Sequence, residues 1–218
     1  MASRLKANVS ALLEAGDLEA LKALALGGQG IVRTLVSLLY STDEELRWQA
    51  INALGEVSAA LVEDGQRERV IDLVRRLFWA LNDESGGIGW NVPEAVGEIL
   101  ARVPFLIATF GPPLVTHLDV SPYGPGVLWA IGRLAAIEPR AVEFALPRVR
   151  ELLGDPEAMV RGRAAWALGR LGDRDAAAAL SALAGTDAGP CSVFEDGRLR
   201  RVSVGELAAE ALARLGLG

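Results

Sequence analysis

Two tryptophans stand one helical turn ahead of an arginine, Trp129 before Arg133 and Trp166 before Arg170, and a third arginine, Arg163, precedes Trp166 by three residues. At that spacing indole and guanidinium share one side of a helix. Two such pairs side by side make a stacked platform for an aromatic, a cationic or an extended peptide group. Arg133, Arg163 and Arg170 would clamp a carboxylate or phosphate. The competing reading packs both tryptophans between adjacent helices and leaves the arginines solvated, because aromatic residues at helical spacing are usually core. Earlier in the chain the equivalent positions are amides and acids: Gln49, Asn52 and Glu56, then Asn91, Glu94 and Glu98. Glu94 and Glu98, one turn apart, can share a proton or bind a cation, although such a pair is more often a solvated helix face. Trp48 and Trp90 share a repeat position near their helix starts, where packing is favoured over ligand contact.

Catalytic constellations are scarce. His117 is the sole histidine, so any Ser-His-Asp triad would have to use it, and no nucleophile elbow accompanies it. A surface or capping histidine is the plainer account. The single cysteine, Cys191, excludes an internal disulfide framework and a Cys-rich zinc site, and it suits a reducing compartment. A buried, inert thiol is expected there rather than a reactive one. Gly86-Gly87-Ile88-Gly89 ahead of Trp90 invites a phosphate-loop reading, because helix N-termini attract anions. No lysine follows at Walker spacing, and Val92 stands where GxGxxG needs its last glycine. Gly87, Gly89 and Trp90 therefore belong either to a loop at the entrance of a binding face or to a plain connection. No metal ligand set and no cofactor is expected.

The element that must hold these residues recurs. Ala167-Leu168-Gly169-Arg170-Leu171 has counterparts at 53–57, 95–99, 130–134 and 211–215, all reading small, aliphatic, Gly or Ala, charged, aliphatic. Their spacing of about 40 residues is that of two-helix repeats. Each motif closes the second helix of a pair. The first helices are predicted at 31–40, 67–81, 104–117, 141–153 and 173–184, the third of them interrupted by Gly111-Pro112-Pro113. The pair 141–153 and 157–171 reads as the most regular. Residues 3–14 and 17–26 read as short capping helices, and Ser41 to Glu45 as the capped start of the helix carrying Trp48. A second helix is predicted from Trp90 to Leu100, with Pro93 in its first turn. Near the C-terminus β-type residues flank Asp196-Gly197, the strongest short hairpin signal, so residues 190–204 are predicted as a β-hairpin. Ser203 with Glu206 then forms a capping box for the last helix.

These motifs, with Asp155 to Arg161 ahead of the best copy, resemble HEAT-like repeats of the phycobilisome-lyase type over about residues 29–216. The segments 83–99 and 126–134 and the Glu195-Asp196-Gly197-Arg198 hairpin resemble, more narrowly, a bacterial group of HEAT-repeat proteins of unassigned biochemical role. The resemblance implies an all-α fold, a right-handed α-α superhelix or solenoid of about five helix pairs with a small β-hairpin near the C-terminus. It is expected as one domain, 1–218: capping helices 1–28, repeats 29–189, hairpin 190–204 and final helix 204–218. In such an array the second helices line the concave face. That face would carry Asn52, Glu56, Glu94, Glu98, Trp129, Arg133, Arg163, Trp166 and Arg170, acidic toward one end and basic toward the other.

A net charge of −6 and a pI near 5.0 work against nucleic acid as the main partner, since phosphate binding needs a basic face. No apolar run reaches the roughly 18 residues that span a bilayer, and the N-terminal stretch lacks a secretory h-region. A mean hydropathy of +0.28 follows from Ala and Leu in helices buried on several sides. Proteins of this kind mostly act as scaffolds. The expected function is non-enzymatic binding of a protein partner, or another copy of the chain, along the concave face in the cytoplasm. The alternatives are a bilin-lyase-like enzyme or cofactor handler, a HEAT-like DNA-repair glycosylase, which acidity disfavours, and a purely structural subunit.

Overall fold

The computed structural model describes residues 2–28, 30–82 and 89–218; the expectations for Gly87 and most of the 82–89 loop fall outside them. Among the described residues are twelve α-helices and one two-stranded sheet. They form two compact units, Met1–Leu106 and Ile107–Gly218. No single described helix is long and apolar enough to cross a membrane.

The first unit contains α1 (Ala2–Glu14), α2 (Leu18–Leu26), α3 (Ile31–Leu38), α4 (Glu44–Glu63), α5 (Arg67–Leu81) and α6 (Val92–Arg102). All five others pack on α4. This helix is buried on several sides through Trp48, Ile51, Leu54, Val57 and Leu61. Its start is fixed locally: the Asp43 carboxylate accepts from the Leu46 N–H at 3.1 Å, and Glu44 and Glu45 face the positive end of the helix dipole. The next second helix, α6, begins at Val92 rather than Trp90. Trp90 consequently lies outside it and is 58% exposed, whereas Trp48 is buried, so the two do not share the packing role expected of them. Asn91 anchors this entry by donating through Nδ2 to Leu39 O at 2.8 Å.

The second unit contains α7 (Ile107–Val115), α8 (Gly124–Ala135), α9 (Leu146–Glu151), α10 (Ala158–Leu171), α11 (Ala177–Leu183), strands β1 (Pro190–Glu195) and β2 (Arg198–Ser203), and α12 (Val204–Arg214). Here α10 is the hub, touching α8, α9, α12 and β1. Two sequence expectations need correction. Pro112 and Pro113 do not interrupt α7. The carbonyls left without a helical donor belong to exposed Ala108 and Thr109, where water can reach them. The stretch 141–153, expected to be one regular helix, is instead short 3₁₀ turns around a six-residue α9, with Pro147 in its first turn and a further turn ending at Gly154. The hairpin and the capping box are as predicted: Asp196 and Gly197 adopt φ of 52° and 75°, and the Ser203 hydroxyl and Glu206 carboxylate satisfy each other's backbone N–H.

The glycine of the repeat motif sets how close consecutive second helices come. A Cβ on Gly55 would lie 2.8 Å from Cγ of Glu98 on α6, and one on Gly169 would lie 2.8 Å from Cα of Ala211 on α12. On Gly132 it would lie 2.5 Å from Cε3 of Trp166 and closer still to Cζ3. Replacing Gly132 with Ala therefore forces either the indole or the helix to shift. The expected result is a loss of about 1–3 kcal/mol, read as a lower urea midpoint at unchanged m-value.

Candidate functional site

The indoles of Trp129 and Trp166 lie parallel, 3° apart, with ring centroids at 6.4 Å. The Arg170 guanidinium sits 4.4 Å from the Trp166 ring centroid, and that of Arg133 sits 6.0 Å from Trp129. The stacked pair and its arginines thus exist. They are not an open platform, because Trp129 is 0% and Trp166 5% exposed. Strand β1 occupies that side of α8 and α10, with Cys191, Ser192, Val193 and Phe194 all buried.

The strand is held by its backbone. In a two-residue hairpin the Glu195/Arg198 and Val193/Arg200 pairs exchange the ladder bonds, which turns the carbonyls of Phe194 and Ser192 toward the free edge of β1. An unpaired strand edge in a protein interior leaves polar groups without partners. Trp129 Nε1 donates to Phe194 O at 3.0 Å and Arg163 Nε donates to Ser192 O at 3.2 Å, filling both positions. The Glu195 carboxylate forms an ion pair with Arg170 and accepts from Arg200 at 3.1 Å. Upstream, Arg161 holds Asp187 in a two-pronged pair at 2.8 and 3.1 Å, and Asp187 in turn accepts from the Gly189 N–H. Gly162 makes room for the strand: a Cβ there would lie 2.5 Å from the Cys191 sulfur.

In the first unit the polar positions form an ion network instead. Arg102 on α6 bonds Glu98 at 2.9 Å and Glu56 on α4 at 2.9 Å. Glu94 and Glu98 are buried, which corrects the expectation of a solvated helix face for that pair, and Asn52 is buried as well. Glu56, Arg133 and Arg170 remain half-exposed. Gly89 is buried beside Val92, where an added Cβ would meet Val92 Cγ2 at 3.0 Å. His117 is half-buried, with Nδ1 3.1 Å from Pro113 O. Among the described residues no group of three or more His, Cys, Asp or Glu is arranged to hold a metal ion. Burial pushes the Cys191 thiol up, as expected of an inert side chain, with Arg163 working in the opposite direction.

Sequence reasoning missed Ser192, Phe194, Glu195 and Asp187 as partners of this face. The available signal was the run Cys191 to Phe194, unbroken by a polar alternation strong enough for a one-sided strand.

A family of HEAT repeats matches residues 112–190. An uncharacterized protein of Archaeoglobus fulgidus is 32% identical over 141 residues, which cover 64% of this chain and 73% of that protein. Among solved structures, an engineered protein superposes with a TM-score of 0.60 over 99% of this chain and 92% of its own, at 20% identity. A designed armadillo repeat protein in complex with the peptide (KR)4 gives 0.54 over 95% and 98%, at 22% identity. These likenesses show the fold: a helical-repeat solenoid of the HEAT and armadillo kind.

The ion pairs on the strand give its attachment a pH dependence. Burial raises the Glu195 carboxyl, but Arg170 and Arg200 outweigh it and hold the group below the usual carboxylate range. The Asp187 carboxyl is lowered by Arg161. A depressed folded-state pKa contributes stability that is present above the unfolded value and lost as pH falls through the folded one. Wild-type stability is therefore expected to fall progressively as pH drops below about 5. Glu195→Gln should lose about 1–2 kcal/mol at neutral pH and show a shallower acid slope, measured by urea unfolding at each pH.

Proposed function

Because the chain belongs to the HEAT-repeat proteins, we propose that it is a non-enzymatic scaffold that binds an extended segment of a protein partner along the face of its second helices. The seat of β1 carries this reading. Trp129 and Arg163 donate to carbonyls two residues apart on an extended chain, and Arg170 takes the acid that follows. Backbone recognition at a strand's repeat, with one charge to set register, is how a rigid face reads an extended peptide. The strand is thus an intramolecular example of the interaction proposed with a partner. The designed armadillo repeat protein of the same fold is in complex with a peptide, which supports a peptide-like ligand here. The half-buried Arg133, on the same helix as Trp129, is accessible to such a partner. A reduced Cys191 and an acidic net charge fit a cytoplasmic setting and a protein rather than nucleic acid.

The reading is tested by affinity capture from native extract with wild type, Arg133→Glu, and Arg75→Glu as a control on exposed α5. A partner retained by wild type and by Arg75→Glu, but reduced about tenfold by Arg133→Glu, is the expected result. Equal retention by all three would remove the second-helix face from consideration.

A further inference from the structure

In the first unit α3 and α5 are splayed apart rather than packed on each other, and a cavity of about 390 Å³ lies between them. Its floor is apolar, made by Leu73 and Leu77 of α5, Leu61 of α4 and Val92 of α6, all buried. Val36 and Ala80 form half-buried walls. The rim is cationic. Arg69 and Arg76 are two turns apart on α5, and Arg33 faces them from α3. Among the described lining residues the one acid, Asp72, is paired with Arg75 at 3.3 Å. Arg76 donates through Nε to its own helix at Asp72 O, and Arg69 bonds the neutral Gln66 side chain. Arg33, Arg69 and Arg76 therefore have no ion pair among the described residues, in a chain whose net charge is −6.

The geometry points to a binding site for an amphipathic anion, an alkyl or aryl body ending in a carboxylate or comparable head. The volume falls within the roughly 300–1,000 Å³ of small-molecule pockets. The eight residues of α3 limit an occupant to about 12 Å in length, which suits a short apolar chain and not a helix of several turns. Burying that chain against leucine and valine supplies affinity, and three guanidiniums at one edge fix the direction in which it enters. This site is independent of the partner-binding face, so either can fail without the other.

The probe is 1-anilinonaphthalene-8-sulfonate, an aryl anion that fits this length and whose fluorescence rises in an apolar site, titrated into the intact chain and displaced by octanoate or by uncharged octanol. One saturable site per chain is expected, with octanol at least about tenfold weaker than octanoate as a competitor. The double variant Arg33→Glu, Arg76→Glu should weaken binding at least about tenfold with unchanged helical circular dichroism, because both side chains are exposed. Ala80→Trp, which fills the cavity, should also abolish it. Absence of saturable binding, variants that bind like wild type, or equal competition by octanol would each overturn the assignment.

Discussion

At Gly132 the backbone of α8 meets the indole of Trp166 directly, an approach that any side chain at this position would block. The same requirement holds at Gly55 against Glu98 and at Gly169 against Ala211. Each second helix is thereby set close to the second helix that follows it within its unit. The consequences spread outward. Close approach of α8 and α10 leaves Trp129 and Trp166 no option but to stack in parallel across the junction. Stacked there, they place one indole N–H at the edge of a shallow channel that an extended chain can enter.

The strand that enters it resolves two problems at once. A two-stranded hairpin alone is marginal in water, and its free edge exposes carbonyls that would be costly to bury. Seating β1 against α10 buries Val193 and Phe194, while Trp129 and Arg163 complete the hydrogen bonding of that edge. The charges then close the arrangement from both ends, Arg161 with Asp187 before the strand and Arg170 with Glu195 after it. Polar groups of this kind contribute less through net energy than through direction, since a strand shifted by one residue would present its N–H and C=O groups to the wrong partners.

Much of this was legible in the residues themselves. The recurring Ala-aliphatic-Gly motif located the second helices, and Asp196-Gly197 and Ser203 to Glu206 located the hairpin and the helix after it, because each encodes its geometry within a few positions. The Trp129–Trp166 stack followed from equal repeat positions. Its accessibility did not, because that depends on where residues 190–195 fold back, a contact between segments over 25 positions apart. The burial of Glu94 and Glu98 was hidden for the same reason: Arg102 lies on α6 itself, but Glu56 comes from α4. The broken first helix at 139–154 could have been suspected from Pro139, Pro147 and Gly154, which punctuate it at short intervals.

The seating of β1 on the tryptophan stack is tested most directly by hydrogen exchange of the five tryptophan indole protons, followed by NMR. With the strand seated, the Trp129 proton is bonded to Phe194 O and exchanges as slowly as the most protected backbone amides. The indoles of Trp79 and Trp90, 78% and 58% exposed, provide the fast reference in the same sample. Exchange of Trp129 at the rate of Trp79 would contradict the arrangement, since an indole proton open to water cannot be holding the edge of a buried strand.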